Sequence, residues 1–228
     1  MFGQSMATSV PPMLKGTVIF TRSLNPQDLI ELIKTERISV LVCVPKMLEV
    51  LREYILRKWP ESGNPPPTNF GILRRWWRYR RVHSAFGNKF WAFVVGAAPL
   101  PPELETFWRK LSFAVIQGYG LTETAPIVTL NHPFKTSQGS VGTPIGGVEV
   151  RIAEDGEILV RGANVTSGYY NPSKTQQSSE PALDDEGWLH TGDIGERDTA
   201  GRLFIKGRKK EMIVTSAGLN VFPEDVEH

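Results

Sequence analysis

The sequence contains one cysteine, Cys43, so no disulfide can form within the chain. Cys43 lies in the apolar run of residues 38–44, where we expect a buried structural thiol on a strand in preference to a catalytic nucleophile. The four histidines are scattered without the spacing of metal ligands, and a single cysteine leaves no zinc signature. A disulfide scaffold is therefore excluded, and no zinc module is predicted.

Strong net charge and long apolar runs are also lacking. The formal net charge of +2 is too small to indicate a polyanion partner by itself. No run approaches the ~18 apolar residues of a membrane span, and residues 1–12 lack the basic start and apolar centre of a secretory signal. With 40% hydrophobic and 22% charged residues among 228, the sequence is typical of a soluble globular protein of one or two domains, and we expect a cytoplasmic location.

The first half of the chain alternates between predicted strands and helices. The predicted strands are residues 16–20, 39–44, 90–95 and 113–116. Asn25 and Pro26 form a capping signal for one helix, and further helices are predicted at about residues 46–56 and 102–111. The continuously apolar run 39–44 is typical of a strand covered on both faces. Two strand–helix–strand units of this kind predict an α/β fold with a parallel sheet.

The second half is richer in alternating strands and in glycine. Residues 148–152 and 157–161 alternate between apolar and polar side chains, and the Asp155-Gly156 pair between them is a hairpin signal. We therefore predict a compact β-rich subdomain over about residues 135–206. From residue 211 onward a strand and the start of a helix are predicted.

The most informative segment is QGYGLTETAP, residues 117–126, which follows an apolar strand. A strand that ends in a glycine-rich bend delivers polar groups to the carboxyl edge of a sheet, where open α/β folds bind ligands. The ring of Tyr119 can stack on a flat base, and Gly120 lets backbone approach a ligand closely. The Thr122 hydroxyl and the Glu123 carboxylate suit Mg²⁺. An ordinary strand-to-loop bend that faces water is the alternative.

A second segment, residues 72–81, is rich in arginine and tryptophan. On a helix, one face would carry Ile72, Leu73, Trp76, Trp77, Tyr79 and His83, and the other Arg74, Arg75, Arg78 and Arg81, with Arg80 on the apolar side. A basic amphipathic helix over residues 74–81 can lie on an anionic membrane surface. It can equally pack its apolar face on the domain and leave the arginines in water, which is the favoured alternative. No nucleic-acid partner is predicted, because no recognition fold accompanies the patch.

Further motifs occur in a fixed order along the chain. They are MFGQS at residues 1–5, GAAPL at 96–100, QGYGLTETAP at 117–126, WLHTGDIG at 188–195, GRKKEMIV at 207–214 and GLNVFPEDVE at 218–227. Together these motifs resemble those of the adenylate-forming superfamily of acyl-CoA synthetases, peptide-synthetase adenylation domains and luciferases. The resemblance spans nearly all of the chain and is closest to long- or medium-chain fatty acid–CoA ligases.

The resemblance implies how the chain is divided. Residues 1–134 would be the α/β part of the large amino-terminal AMP-binding domain, and residues 135–206 a small β-rich subdomain of the same domain. A hinge would follow at 207–210, and residues 211–228 would begin a carboxyl-terminal domain. The family's glycine-rich phosphate loop is absent before Gly96, and its carboxyl-terminal lysine is not found either. The chain is therefore expected to be an internal part of a longer enzyme and to be inactive alone.

The resemblance also implies roles around the base and the phosphates of a nucleotide. One wall of the adenine slot would consist of Gly96, Ala97, Ala98 and Pro99. Tyr119 would stack on the opposite face of adenine, with Gly120 beside it in the nucleotide site. Thr122 would hydrogen-bond a phosphate oxygen, and Glu123 would bind Mg²⁺ that bridges phosphate oxygens. Thr122 and Glu123 are the expected catalytic residues.

The later motifs imply the remaining contacts. Asp193 would accept hydrogen bonds from the two ribose hydroxyls, with a turn-forming aspartate as the alternative. Arg208 would reach ribose or phosphate oxygens. Lys210 would occupy the hinge, where many relatives carry aspartate, and Gly218 would border the channel for CoA. Taken alone, the charged run at 207–210 is more typical of a solvated loop.

The function implied by the resemblance is that of an AMP-forming acid–thiol ligase. Such an enzyme joins a fatty acid or another carboxylate to ATP with Mg²⁺, releases pyrophosphate, and passes the acyl group from the acyl-adenylate to CoA. An adenylation domain that serves a carrier protein or another acceptor is the alternative within the superfamily. A non-catalytic nucleotide-binding or membrane-surface fragment, with peripheral membrane contact through residues 74–81, is the alternative of a different class.

Overall fold

The structure is a computed structural model that describes residues 8, 10–64, 77–133, 135, 137–168, 183–214 and 220–222. The chain falls into two compact units. The first, here called the α/β unit, comprises residues 2–117 and 132–139, and the second, the β-rich unit, comprises residues 118–131 and 140–228. The motif at residues 1–5 and residues 72–76 of the predicted basic helix lie outside the described residues.

The α/β unit contains a parallel sheet. Its strands are β1 (Val40–Cys43), β2 (Ala92–Val95) and residues 114–117 of β3 (Ala114–Tyr119). Its helices are α1 (Val10–Met13), α2 (Pro26–Thr35), α3 (Pro45–Lys58), α4 (Arg80–Phe86) and α5 (Pro102–Lys110), with a 3₁₀ helix at Pro60–Gly63. β1 pairs with β2, and β2 with β3, both in parallel, so the predicted α/β fold with a parallel sheet is confirmed. Within the described parts of the chain, the helices are too short or too polar to span a bilayer.

Local sequence signals set where the helices begin. The side-chain oxygen of Asn25 accepts a hydrogen bond from the backbone N–H of Gln27 at 2.9 Å, and Pro26 occupies the first turn of α2. Pro45 and Pro102 likewise begin α3 and α5, because proline lacks the N–H that a first turn leaves unbonded. These three starts agree with the predicted ones to within one residue.

An aromatic cluster forms the core of the α/β unit. Trp108 of α5 is fully buried, and its ring centroid lies 4.6 Å from that of Phe93 and 5.9 Å from that of Phe113. Phe86 of α4 stacks on Phe90 at 5.1 Å. Aromatic contacts of this kind contribute beyond the area they bury. The cluster therefore ties helices α4 and α5 to strands β2 and β3.

A buried carboxylate organises the end of β3 within the α/β unit. Glu105 of α5 is fully buried, and its Oε1 accepts a hydrogen bond from Arg109 at 3.2 Å. Its Oε2 accepts from the side-chain amide of Gln117 at 3.3 Å and from the backbone N–H of Gly139 at 3.1 Å. A buried charge requires such partners. The network fixes the strand just before the glycine-rich segment begins.

Two details of the predicted strands are wrong. Residues 16–20 form no strand, and Phe20 is 74% exposed. An apolar run favours a strand only where a neighbour packs against it, and none of the described strands pairs with these residues. β1 forms where it is predicted, but it is not covered on both faces, since Val42 is 37% exposed.

The described end of the predicted basic helix also departs from the expected pattern. Trp77, predicted on the apolar face, is 65% exposed. Tyr79 is buried as predicted, and its hydroxyl donates a hydrogen bond to the carbonyl of Asn64 at 2.9 Å. A turn at Tyr79 separates Trp77 from α4, which begins at Arg80. The helix is therefore interrupted at Tyr79, so one helical repeat does not place Trp77 and the residues of α4 on a common face.

Cys43 lies on β1, as predicted, and packs partly buried against the core of the α/β unit. Burial raises the pKa of its thiol to about 12. Because the thiolate is the nucleophilic form, we expect the thiol to react far more slowly at neutral pH than an ordinary cysteine. These observations support the structural role and not the catalytic one.

The β-rich unit consists of antiparallel strands. Residues 118–119 at the end of β3 pair with β4 (Thr129–Leu130), which pairs with β5 (Thr143–Pro144). A four-stranded sheet has the order β6 (Val148–Ile152), β7 (Glu157–Gly162), β8 (Leu189–Arg197) and β9 (Leu203–Arg208), and β10 (Ile213–Val214) pairs with β11 (Asn220–Val221). β6 and β7 flank the turn at Asp155-Gly156, so the predicted hairpin is confirmed.

The β-rich unit has its own apolar core. The buried members of this core are Val128, Val150, Ile158, Val160 and Leu203. Tyr119, at the end of β3, packs against them while part of its side chain stays accessible. The tyrosine is thus held by packing at the point where the glycine-rich segment leaves the strand.

Candidate functional site

The segment after β3 is a tight loop that only glycine can begin. A Cβ at Gly120 would collide with the carbonyl oxygen of Pro126. A 3₁₀ helix, Thr122–Thr124, follows, and the buried Thr124 hydroxyl accepts from the Leu121 N–H at 2.8 Å and donates to the Leu121 carbonyl at 3.1 Å. With Thr124 hydrogen-bonded to Leu121 in this way, Thr122 is exposed and Glu123 is half-buried on the surface of the loop.

Residues from a later part of the chain fasten this loop. The side-chain amide of Asn164 donates hydrogen bonds to the carbonyls of Thr124 at 2.8 Å and Ile127 at 3.0 Å. The backbone N–H of Thr166 donates to the carbonyl of Glu123 at 2.8 Å. The backbone that carries Glu123 is therefore held on both sides. Sequence reasoning missed Asn164 and Thr166, because nothing local marks a partner some 40 residues away.

Asp193 lies between two irregularities of the four-stranded sheet. Residues 191–193 of β8 lie opposite the single residue Ile158 of β7, and a second register shift follows between Ile194 and Gly195 on the β9 side. The Thr191 hydroxyl fills the first irregularity, donating to the Ile158 carbonyl at 2.7 Å and accepting from the Asp193 N–H at 3.1 Å. Bulges of this kind re-aim side chains next to functional sites.

The bulged strand brings three predicted site residues together. The Tyr119 hydroxyl donates a hydrogen bond to Oδ2 of Asp193 at 2.6 Å, and Nε of Arg208 lies 2.9 Å from Oδ1. Asp193 and Arg208 are direct partners across β8 and β9. A carboxylate offers about four acceptor positions, so these two contacts leave capacity for further donors. The buried carboxylate is thus oriented by one neutral donor and one cationic donor.

Burial is the largest influence on the pKa values of Asp193 and Tyr119. Burial raises the pKa of Asp193, and the Tyr119 hydroxyl and the Arg208 charge only partly oppose it. Burial and the neighbouring Asp193 charge raise the pKa of Tyr119 as well, so the tyrosine remains a hydrogen-bond donor. The Arg208 side chain stays half-exposed and also donates to the Thr191 carbonyl at 3.3 Å.

Gly192, the residue before Asp193, has a left-handed backbone with φ of +71°. Among the described residues, and apart from the two neighbours of Gly192 in the chain, no atom lies within 4 Å of a Cβ added there, so an alanine would be disfavoured by backbone conformation alone. Gly147 in the same unit has φ of +81° and equally open space. It provides a matched control.

We expect Gly192→Ala and Gly147→Ala to destabilise the chain by similar amounts, about 1–2 kcal/mol each, because a left-handed non-glycine residue costs about that much. Only Gly192→Ala should also weaken AMP binding, since only this strain moves Asp193. Urea unfolding and calorimetric AMP titration measure the two effects. Equal AMP affinities in the two variants would contradict a role for the Gly192 turn in the site.

The other predicted site residues lie elsewhere. Within the α/β unit, Gly96 is buried at the end of β2, and the loop residues Ala97, Ala98 and Pro99 are exposed, with Ala97 at φ of +70°. Within the β-rich unit, Lys210 is exposed in the 3₁₀ helix Lys209–Glu211 that follows Arg208. Gly218 lies outside the described residues. The structure thus brings Tyr119, Asp193 and Arg208 into contact, and their roles remain predictions.

In open α/β proteins, ligands bind where polar residues follow the carboxyl end of a parallel strand, and the described α/β fold has this arrangement after β3. The family is more specific. A sequence profile of AMP-binding enzymes matches residues 1–170, and the chain belongs to this family. The predicted membership of the adenylate-forming superfamily is thereby confirmed.

Known relatives agree with the family. The chain is 44% identical over 149 residues to the long-chain-fatty-acid–CoA ligase FadD15 of Mycobacterium bovis, an alignment that covers 65% of this chain and 24% of that ligase. Apo MatB from Rhodopseudomonas palustris superposes with a TM-score of 0.73 at 27% identity, covering 99% of this chain and 41% of that one. O-succinylbenzoate coenzyme A synthetase (MenE) from Bacillus subtilis, in complex with ATP and magnesium ion, gives 0.68 at 27% identity, covering 93% and 40%. The chain spans well under two thirds of the length of these relatives.

Proposed function

We propose that the chain supplies the ribose- and magnesium-binding part of an AMP-forming fatty acid–CoA ligase. In the first half-reaction a carboxylate oxygen attacks the α-phosphorus of ATP, and the bond to pyrophosphate breaks. In the second, the CoA sulfur attacks the acyl carbon, and AMP leaves. The observation that carries the proposal is the contact of Tyr119, Asp193 and Arg208 in a member of this family.

The contact fits the shape of an adenosine. Base and ribose are adjacent in a nucleotide, and here an aromatic ring and a carboxylate are adjacent, with 2.6 Å between the Tyr119 hydroxyl and Asp193. The ring would stack on adenine while the carboxylate accepts hydrogen bonds from the ribose hydroxyls. Arg208 would donate to ribose or phosphate oxygens from its exposed side. The small-residue loop Gly96, Ala97, Ala98 and Pro99 retains its proposed role against adenine, and Gly120 its role in the nucleotide site.

The donor set of the β3 loop fits Mg²⁺. Thr122 and Glu123 offer a hydroxyl and a carboxylate, which are hard oxygen ligands. Among the described residues no group of three or more histidine, cysteine or acidic side chains could cage an ion without other ligands. Mg²⁺ commonly uses one or two protein carboxylates together with water and substrate phosphates. This loop would provide one such carboxylate, that of Glu123. When bound, the ion would neutralise phosphate charge.

The hinge and the acceptor site complete the proposal. Residues 207–210, with Lys210 last, would be the hinge between residues 1–206 and a carboxyl-terminal domain that begins at 211. Residues 135–206 would form the β-rich subdomain of the larger domain. Gly218 would border the CoA channel. CoA is favoured over a carrier protein as the acceptor, because the relative of 44% identity is a CoA ligase.

Nucleotide binding to the chain and activity of the complete protein that contains it test this function. AMP should bind to the chain in calorimetric titration. The complete protein should exchange pyrophosphate into ATP only when a long-chain fatty acid is present, and it should form acyl-CoA when CoA is added. Failure to bind AMP would contradict the proposal. Acyl transfer to a carrier protein in preference to CoA would support the alternative acceptor.

A specific surface favours a second proposal, peripheral membrane contact. Trp77 is 65% exposed, and the guanidinium of Arg80 lies 4.7 Å from the centroid of its ring. Arg80, Arg81 and Lys34 line an open cavity of about 570 Å³ beside Trp59. Exposed tryptophan and clustered cations are the residue types that bind anionic lipid surfaces.

We expect the chain to sediment with vesicles that contain phosphatidylserine and not with phosphatidylcholine vesicles. Arg80→Ala should reduce the partition coefficient by about fivefold, because a cation near an anionic surface contributes about 1 kcal/mol. Arg22→Ala, which removes an exposed arginine before α2, is the control. Absence of sedimentation with phosphatidylserine vesicles would contradict membrane contact, and equal sedimentation with both vesicle types would contradict a role for the cations.

A further inference from the structure

One buried carboxylate of the β-rich unit has no role so far. Glu157 begins β7, and only 6% of its side chain is exposed. Its Oε1 accepts a hydrogen bond from the Gly192 N–H at 2.9 Å. Its Oε2 accepts from Nζ of Lys209 at 2.9 Å and lies 3.3 Å from Nδ1 of His190. Glu157 therefore connects β8 to the 3₁₀ helix Lys209–Glu211, which follows β9.

The contacts of Glu157 lie beside the candidate ribose site. Gly192 directly precedes Asp193, and Lys209 directly follows Arg208. Asp193 and Arg208 are paired across the same two strands at 2.9 Å. The carboxylate thus binds the residue next to each member of the pair.

The charge of Glu157 is maintained by these partners. Burial raises its pKa, but the hydrogen bonds from Lys209, Gly192 and His190 together outweigh burial and hold the pKa below its ordinary value of 4.5. Lys209 is held in turn by Asp155, with 2.7 Å between Nζ and Oδ2. At neutral pH the buried group is therefore an ionised acceptor.

We propose that Glu157 is a positioning residue for nucleotide binding, which fixes Asp193 through Gly192 and Arg208 through Lys209. The carboxylate holds the bulge of β8 open at Gly192, so that the Asp193 side chain meets Tyr119 and Arg208. This inference rests on the proposed role of Asp193 as the ribose acceptor. It adds a residue that touches no nucleotide but sets the geometry of those that do.

The test compares AMP with 2′,3′-dideoxy-AMP, which lacks the ribose hydroxyls, in calorimetric titrations of the chain. Glu157→Gln should weaken AMP binding by about 3- to 30-fold, which lies within the range of coupling between contacting residues. It should weaken binding of the dideoxy nucleotide less, because Asp193 has no hydroxyl partner there, whereas Arg208 can still reach the phosphate. A merely structural role would weaken both nucleotides alike. Glu149→Gln, an exposed glutamate on β6 paired with Arg161, is the control.

A double-mutant cycle with Asp193→Ala separates this inference from the proposed function. If Glu157 acts largely through Asp193, Glu157→Gln should have a much smaller effect on AMP binding in the Asp193→Ala background than in the wild-type chain. If the losses of AMP affinity are additive, or if Asp193→Ala weakens AMP binding and Glu157→Gln does not, the role of Glu157 is overturned. The proposed ribose site then still stands. No AMP binding, or no effect of Asp193→Ala, would overturn the proposed ribose site and the inference with it.

Lys209→Met provides a second route if Glu157→Gln fails to fold. The Lys209 side chain is 44% exposed, and the Gly192 N–H and His190 remain as partners of Glu157, so we expect the fold to persist with a lowered free energy of unfolding. The variant should weaken AMP binding by about 2- to 5-fold, again with a smaller effect on the dideoxy nucleotide. Lys206→Met removes an exposed cation of β9 that pairs with Glu196 at 2.8 Å and is the control. Equal effects of the two lysine variants would overturn the inference.

Discussion

Replacing Asp193 by alanine is expected to weaken AMP binding by about 10- to 100-fold while the chain remains folded. A hydrogen bond to a charged group contributes about 1.5–3 kcal/mol, and about 1.4 kcal/mol corresponds to a factor of ten. Asp193 is buried and oriented by Tyr119 and Arg208, so its loss removes an acceptor that is already fixed in place. Calorimetric titration of the variant with AMP measures the loss.

The fold should tolerate the loss of Asp193 for an electrostatic reason. Burial raises the pKa of this carboxyl, so its ionised form is disfavoured by folding. Its contribution to stability is present at acid pH and is lost as the pH rises through the folded pKa. Removing it at pH 7 therefore removes a penalty, which offsets the loss of the acceptor for the Tyr119 hydroxyl, and the half-exposed Arg208 can turn to water. Urea unfolding checks this expectation.

The control for this prediction is Glu196→Ala. Glu196 lies on the same strand, is exposed, and pairs at the surface with Lys206 at 2.8 Å. Exposed pairs contribute little, so AMP affinity and stability should change by less than about 1 kcal/mol. Unchanged AMP affinity in a folded Asp193→Ala variant would remove Asp193 from the site.

Replacing Glu123 by glutamine is expected to weaken Mg²⁺-dependent ATP binding by about 10- to 100-fold. Changes around metal ligands commonly have effects of this size, and an amide is a poorer ligand for a hard cation than a carboxylate. The loop is fixed by Asn164 and Thr166, so the substitution should leave its backbone unchanged. AMP binding without Mg²⁺ should be unaffected.

The measurement is pyrophosphate exchange by the complete protein over a range of Mg²⁺ concentrations. Raised Mg²⁺ should restore part of the lost rate, because the substitution weakens binding of the ion and not the chemistry. Glu154→Gln, at an exposed turn position, is the matched control. Normal exchange kinetics of Glu123→Gln at low Mg²⁺ would show that the ligand assignment is wrong.

Features that depend on neighbouring residues could be predicted from the sequence. The Asn25-Pro26 pair begins a helix because the cap acts within two residues. The Asp155-Gly156 turn forms a hairpin because glycine supplies φ of +85° there. The order of motifs identified the family, which the match over residues 1–170 confirms.

Features that depend on distant partners could not be predicted. Tyr119 and Asp193 are 74 residues apart, and no periodicity indicates that the tyrosine hydroxyl binds the aspartate. Glu157 is 35 residues from Gly192, and its burial follows from a bulge that depends on the pairing of three strands. The predicted strand at residues 16–20 is wrong because its composition favours a strand but none of the described strands pairs with it.

The slowly reacting thiol of Cys43 has a practical consequence for spectroscopy. Maleimide and nitroxide reagents react with thiolate, and a pKa raised from 9.0 to about 12 makes the thiolate fraction of Cys43 at pH 7 about 10³ times smaller than that of an ordinary cysteine. As the chain has no other cysteine, one introduced at the exposed position of Lys210 would carry the only label. A fluorophore or spin probe there would report rotation of the proposed hinge in an otherwise unaltered sequence.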